Sequence, residues 1–253
     1  MILDLFKLEG KNALVTGSQQ GLGAGIALAL AEAGANVGCH GLFPEPNDIC
    51  TKIRDLGRKS FYMHGDVSDA KVCEELVSRT VNELGSIDIL VNNAGTIKRA
   101  PAVDFPQDYW DQVIAVNLSS VFLLTKLAGK HMIAQGKGKI VNIASLLSFQ
   151  GGILVPSYTA AKSGVAGLTK AFANEWASKG INVNAIAPGY MATDNTAALR
   201  ADEKRSQAIL ERIPAGRWGE PCDLMGTAVF LASPASDYLQ GHIVVVDGGW
   251  MAR

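Results

Sequence analysis

The chain has 253 residues and a formal net charge of −1, from 23 basic and 24 acidic side chains. That balance excludes a generally basic nucleic-acid surface, and 48% hydrophobic against 19% charged residues excludes intrinsic disorder. At this size a folded chain hides roughly 72% of the area its unfolded form exposes, so no metal or disulfide staple is required.

The first eleven residues are broken by Asp4, Lys7 and Glu9 and lack the apolar core of a signal peptide. No run approaches the ~20 apolar residues of a membrane span, so no membrane partner is expected. A first strand is predicted over 12–16, followed by a helix over 22–33. Strands over 36–40, 59–64, 87–92, 139–144, 182–187 and 243–246 then alternate with helices over 46–56, 69–84, 108–134, 157–178 and 221–232. Most strands are nearly continuous in Val, Ile, Leu and Ala, the pattern of strands covered on both faces. Seven strands and six helices in alternation predict α/β class: one domain over 1–253 holding a doubly wound, parallel, Rossmann-like sheet with helices on both faces. Residues 191–217 break the rhythm. Their charged run at 197–212 reads either as a surface helix or as a lid over a site.

Cys39, Cys50, Cys73 and Cys222 are scattered, without a C-x-x-C pair, and read as buried hydrophobes or spare thiols in a reducing, cytoplasmic compartment. His40, His64, His131 and His242 have no metal-ligand spacing, and no metal is expected.

The stretch Thr16-Gly17-Ser18-Gln19-Gln20-Gly21-Leu22-Gly23 closes the first strand and opens the first helix. Gly17 permits a tight turn, Gly21 lets backbone approach a diphosphate, and Gly23 seats the helix against the strand. Backbone N–H groups and the helix dipole then favour the phosphates. This predicts dinucleotide binding by Gly17, Ser18, Gln20, Gly21, Leu22 and Gly23. The second strand ends His40-Gly41-Leu42-Phe43, without the acid expected about 20 residues on. No arginine at 18–20 or 40–43 awaits a 2′-phosphate, which favours NAD without excluding NADP.

Tyr158 and Lys162 stand one helical turn apart behind Pro156, a residue suited to a first turn. A nearby ammonium is expected to lower the phenol from its usual ~10 and make it a usable acid/base. Ser145 ends the fifth strand and Asn92-Asn93-Ala94-Gly95 ends the fourth, where open α/β sheets place ligands.

Together with Asp66-Val67, Asn117 and Pro188-Gly189, these motifs resemble the short-chain dehydrogenase/reductases, in order and along the whole chain. The resemblance implies hydride transfer between NAD(H) and a secondary alcohol or ketone. It makes Tyr158 the acid/base, Ser145 the orienter, Lys162 also a ribose ligand, and Asn117 the helix-bending member of a proton relay. It places Asp66, Val67, Asn93, Pro188, Gly189, Met191 and Thr193 around the cofactor. The pocket-lining stretches resemble family members acting on sugar acids of uronate and pectin breakdown. Lys98 and Arg99 are then candidates for the substrate carboxylate and Gln150 for a hydroxyl. Other sugar-acid dehydrogenases, carrier-linked ketoacyl reductases and a non-catalytic nucleotide sensor stay open as alternatives. The resemblance also implies a homotetramer, and small residues Ala160, Ala161, Gly164 and Gly167 would permit close helix approach between subunits.

Overall fold

In the computed structural model, which describes residues 1–44 and 48–253, seven strands form one wholly parallel sheet in the order β3-β2-β1-β4-β5-β6-β7. They are β1 (Asn12–Val15), β2 (Asn36–Gly41), β3 (Ser60–His64), β4 (Ile89–Asn92), β5 (Gly138–Ile143), β6 (Ile181–Pro188) and β7 (Ile243–Val246). Each predicted strand is present, with no end displaced by more than two residues. Strand order reverses direction between β1 and β4, so a crevice opens at the carboxyl ends there.

Alternate residues of each strand serve opposite faces, as the pleat requires. Ala13, Val15, Ile89, Val91, Val141 and Ile143 point to one layer, packed on α1 (Gly21–Glu32), α2 (Ile49–Asp55) and α9 (Cys222–Ala232). Leu14, Leu90, Ile140 and Val183 point to the other. There they meet α3 (Ala70–Leu84), α5 (Ser120–Gln135) and α6 (Pro156–Trp176). The run of apolar residues in each central strand is thus two half-patterns interleaved. Residues 46 and 47 of the second predicted helix lie outside the described residues.

A buried polar ladder ties α5 and α6 to the sheet. Asn92 donates to Asn142 (2.8 Å) and to Thr125 (3.0 Å), and Asn142 donates to Thr169 (3.0 Å). All four side chains are buried, so each bond forms where water is excluded and its loss leaves a neighbour unsatisfied.

The single predicted helix at 108–134 is α4 (Gln107–Ile114) and α5 joined through a π turn at Ala115–Ser119. By length and composition alone 107–135 would suffice to cross a membrane, but it is a core helix. Half of its most apolar window is buried within the protein, and Leu124, Ala128 and Met132 pack on the sheet.

The charged run at 197–212 is two short helices, α7 (Ala197–Ala201) and α8 (Glu203–Leu210). Asp202 breaks them and caps the second by accepting the Arg205 N–H at 2.9 Å. Ile209 and Ile213 are buried in a cluster with Leu146 and Trp250, flanked by Tyr190, Leu199 and Trp218. The carboxyl terminus covers this cluster, with the Arg212 guanidinium 4.0 Å from the Trp250 ring centre.

Gly164 serves the chain's own packing: a Cβ there would press within 2.8 Å of the Leu118 side chain. Cys39, Cys50 and Cys73 are buried free thiols and Cys222 is exposed.

Candidate active site

The crevice at the strand switch is a cleft of about 370 Å³. It runs from Leu42, Phe43 and Asp66 past the glycine turn to Tyr158, Lys162 and Thr193.

The turn is built as its glycines require. Gly17 and Gly21 have φ of +63° and +57°, a region L side chains rarely adopt. A Cβ at Gly17 would stand 2.9 Å from the Ala94 Cα, and one at Gly23 would fall on the Gly17 carbonyl and the Asn93 amide. Asn93 fastens the turn to the end of β4: its side-chain amide donates to the Thr16 and Gly17 carbonyls at 2.9 and 3.0 Å. The Thr16 hydroxyl in return accepts the N–H groups of Asn93 and Ala94.

Gln20, Gly21, Leu22 and Gly23 line the cleft, as do Asp66, Val67, Asn93 and Thr193. Ser18, expected at the diphosphate, lies beneath the turn instead. Its hydroxyl donates to the Val15 carbonyl (2.9 Å) and its N–H to the His40 carbonyl (2.7 Å), leaving neither to face the cleft. Pro188, Gly189 and Met191 also stand outside the main cleft. Gly189 and Met191 line a separate hollow of about 200 Å³ with Tyr190 and Arg217.

His40 is a site residue that spacing alone did not reveal. Its Nδ1 accepts the Gly17 N–H at 3.1 Å while its Nε2–H donates to the Gly65 carbonyl at 2.9 Å. These bonds fix one neutral tautomer and clamp the glycine turn to the end of β3. Burial holds its pKa below the usual 6.5. No sequence spacing announces such a clamp, because both partners are backbone atoms.

At the other end, Lys162 is buried and its ammonium donates to the Ile143 carbonyl at 2.6 Å. Burial depresses its pKa to about 8. The ammonium stands 5.6 Å from the Tyr158 ring centre. Loss of water around the phenol raises the Tyr158 pKa, with the Ser145 hydrogen bond and the Arg99 charge pulling the other way. The expected lowering of that pKa by Lys162 is therefore corrected: burial wins, and the nearby influences are Ser145 and Arg99. Ser145 also accepts the Leu147 N–H at 3.2 Å, which holds its hydroxyl at the strand end.

Asn117 sits wholly buried in the π turn. Its amide clasps Thr96, accepting the N–H at 2.9 Å and donating to the carbonyl at 2.8 Å. The distortion of the helix thus fixes the loop at the floor of the cleft.

The two candidate cations part company. Lys98 stands over the Tyr109 ring at 5.0 Å, and the Arg99 charge acts to lower the Tyr158 pKa, while neither side chain lines the cleft. Arg99 also donates to the Asn195 carbonyl (3.4 Å), and Ala100 donates its N–H to the Leu154 carbonyl (3.1 Å). Leu154, at φ +65°, turns the chain just before Tyr158, so this bond brings Arg99 to the tyrosine's side. Gln150 does not line the cleft. Asp194 does: it accepts from the Gln20 amide at 2.9 Å, bridging the segment after β6 to the glycine turn. Among the described residues no cluster of His, Cys, Asp or Glu is arranged to hold a metal.

Residues 17–251 match the family described as enoyl-(acyl carrier protein) reductase. The chain is 58% identical to 2-dehydro-3-deoxy-D-gluconate 5-dehydrogenase of Escherichia coli strain K12, over the full length of both, and 56% identical to the Bacillus subtilis strain 168 enzyme of that name, over 99% of this chain and 98% of the other. Among solved structures it resembles a gluconate 5-dehydrogenase from Burkholderia cenocepacia in complex with NADP and tartrate, with a TM-score of 0.95, 40% identity and full coverage of both chains. An Agrobacterium tumefaciens protein with bound NADP shares 54% identity at a TM-score of 0.92, over 99% and 100% of the two chains. With the parallel sheet, the glycine turn and the serine, tyrosine and lysine together at one crevice, these likenesses establish that the chain belongs to the short-chain dehydrogenase/reductase family.

Proposed function

We propose that this protein is an NAD(P)-dependent oxidoreductase of sugar acids that interconverts 2-dehydro-3-deoxy-D-gluconate and its 2,5-diketo form. The observation that carries the reading is the placement of Tyr158 and Lys162 in the same cleft as the glycine turn. Full-length identity of 58% to an enzyme of that name supports the substrate.

The residues present fit a dinucleotide. Positive φ at Gly17 and Gly21, and a Gly23 with no room for a Cβ, make the close backbone cradle that a diphosphate needs. Gln20, Gly21 and Leu22 would hold the diphosphate, Asp66 and Val67 the adenine, and Lys162 and Thr193 the nicotinamide half. The bound nicotinamide supplies the hydride donor or acceptor.

The chain's own groups handle the proton and the orientation. In the oxidising direction the Tyr158 oxygen takes the hydroxyl proton as the carbon loses its hydride; in reduction it returns that proton to the carbonyl oxygen. Ser145 orients the reacting oxygen. Lys162 keeps a positive charge beside the phenol, and Asn117 positions the Thr96 loop and the relay behind it. Arg99 is the group we assign to the substrate carboxylate, where its planar fork matches two oxygens. Lys98 supports the loop, and residues 191–217 act as the lid of the single 1–253 domain.

Tyr158→Phe is expected to lower turnover at least ~100-fold while NADH still binds. Full activity would refute the assignment. A panel of 2,5-diketo-3-deoxygluconate, 5-ketogluconate and a ketoacyl thioester, followed at 340 nm, separates the substrate from its rivals.

The same reading places the protein in the cytoplasm, in uronate and pectin breakdown, as a homotetramer. Exposed Phe122, stacked on Phe172 at 6.1 Å, and exposed Ile133 give α5 and α6 an apolar outer surface suited to subunit contact. Light scattering showing an active monomer would overturn the assembly.

A further inference from the structure

A second cavity of about 360 Å³ lies at the opposite pole of the sheet, around the amino ends of β1, β4, β5 and β6. Parallel α/β sheets place their ligands at the carboxyl ends, so a cavity here, nearly the size of the cleft, is not explained by the fold. Among the described residues, its charged lining is Lys11, Lys137 and Lys139 against Asp88 and Asp237.

The carboxylates are committed. Asp88 Oδ2 accepts the Asn12 N–H at 3.1 Å and the Ser86 hydroxyl at 2.7 Å, and Asp237 accepts from the Lys139 ammonium at 2.7 Å. The ammoniums keep donors to spare. Lys139 bonds Asp237 and, at 3.4 Å, the Ser236 hydroxyl, which leaves one of its N–H groups. Lys137 stands 3.8 Å from Asp88, beyond hydrogen-bond reach. Lys11 makes no ion pair among the described residues. Lys137 follows the end of α5, where the helix dipole alone accounts for a cation. No dipole accounts for Lys139, which sits within β5 with its side chain 12% exposed. Loss of water holds its pKa below the usual 10.5; the Asp237 bond opposes that, and the Lys11 charge lowers it further. Two ammoniums pressing on one another in a half-dry cavity are a local excess of positive charge that an anion relieves.

We propose that this cavity binds a small phosphorylated metabolite, with Lys11, Lys137 and Lys139 holding its phosphoryl group. A phosphoryl group carries close to two negative charges at neutral pH and three acceptor oxygens, one for each ammonium. The cavity volume leaves room beside it for a short carbon chain.

The test is calorimetric titration of inorganic phosphate and of glycerol 3-phosphate into the NADH-saturated protein near neutral pH, with chloride keeping the ionic strength constant. NADH occupies the glycine turn, and comparison of variants localises the site whether or not NADH binds. The wild type is expected to take up glycerol 3-phosphate with a Kd of about 1 mM or below, at least as tightly as inorganic phosphate. Lys139→Met should weaken this at least ~10-fold, and Lys11→Gln about 5-fold. Lys71→Gln, the same loss of charge at an exposed position on α3 outside the cavity, should leave it unchanged. Urea melts show that each variant folds, and the half-exposed Lys11→Gln carries the test if Lys139→Met does not. Absence of saturable heat, or binding that Lys11→Gln weakens no more than Lys71→Gln does, overturns the proposal. An ester bound at least ~10-fold more weakly than inorganic phosphate would make free phosphate the ligand and overturn the metabolite assignment.

Discussion

Replacing Lys162 with Met should make the protein more stable at neutral pH while abolishing its chemistry. Lys162 is 4% exposed, and its ammonium is held at about 8 against an ordinary 10.5. Keeping it charged at pH 7 therefore costs about 3 kcal/mol of folding free energy. Methionine fills nearly the same volume without the charge, but it leaves the Ile143 carbonyl without its 2.6 Å donor, a loss of about 1 kcal/mol. The net gain is about 2 kcal/mol, a rise of roughly 4–8 °C in Tm for a chain of this length. The sign depends on pH in a defined way. Because the folded-state pKa lies below the unfolded one, unfolding takes up a proton between pH 8 and 10.5. The penalty is complete below 8 and fades as pH rises toward 10.5, so the variant's advantage should fall to about zero by pH 10. Urea midpoints at pH 7 and pH 10, for wild type and Lys162→Met, measure it directly. A variant less stable than wild type at pH 7, or an advantage that ignores pH, would refute the reasoning.

Three further outcomes are expected. Asn117→Ala removes both bonds to the Thr96 backbone and should cost about 2 kcal/mol, seen as a Tm drop of roughly 4–8 °C together with reduced turnover. His40, whose pKa burial holds below 6.5, should make the protein lose stability as pH falls below that value, because the unfolded chain binds the proton first. Comparing urea midpoints of wild type and His40→Leu from pH 7 to 5 isolates that slope, which the variant should lack. Arg99→Gln should raise KM for the sugar acid about 10-fold or more, with little change in NADH binding; unchanged KM would remove Arg99 from the carboxylate role.

The sheet was legible because interleaved apolar half-patterns leave strands no other way to be buried. Local chemistry made the glycine turn equally plain: positive φ at Gly17 and Gly21 is a demand that only glycine meets cheaply. Ser145, Tyr158 and Lys162 could be brought together in advance because strand ends and one helical turn fix their geometry. What stayed hidden depends on contacts remote in sequence. His40 acts through two backbone groups, and Ser18 turns inward because His40 offers it partners. Ile209 and Ile213 find their partner in Trp250, near the far end of the chain, which no local pattern reveals. Lys98 and Arg99 are adjacent, but only the fold separates an arginine whose charge acts on Tyr158 from a lysine over Tyr109.

The π turn at Ala115–Ser119 also sets the phase of everything after it. A π turn carries one residue more than its α counterpart, so side chains downstream are rotated by about 100° from where an unbroken helix would put them. Leu124, Ala128 and Met132 face the sheet only because of that offset. Shortening the chain by one residue within 115–119 would therefore yield a more regular helix and a worse protein. The downstream apolar face would swing off the sheet, and Asn117 would lose its reach to Thr96. A change of register in this stretch would be felt at the cleft and in the core at once.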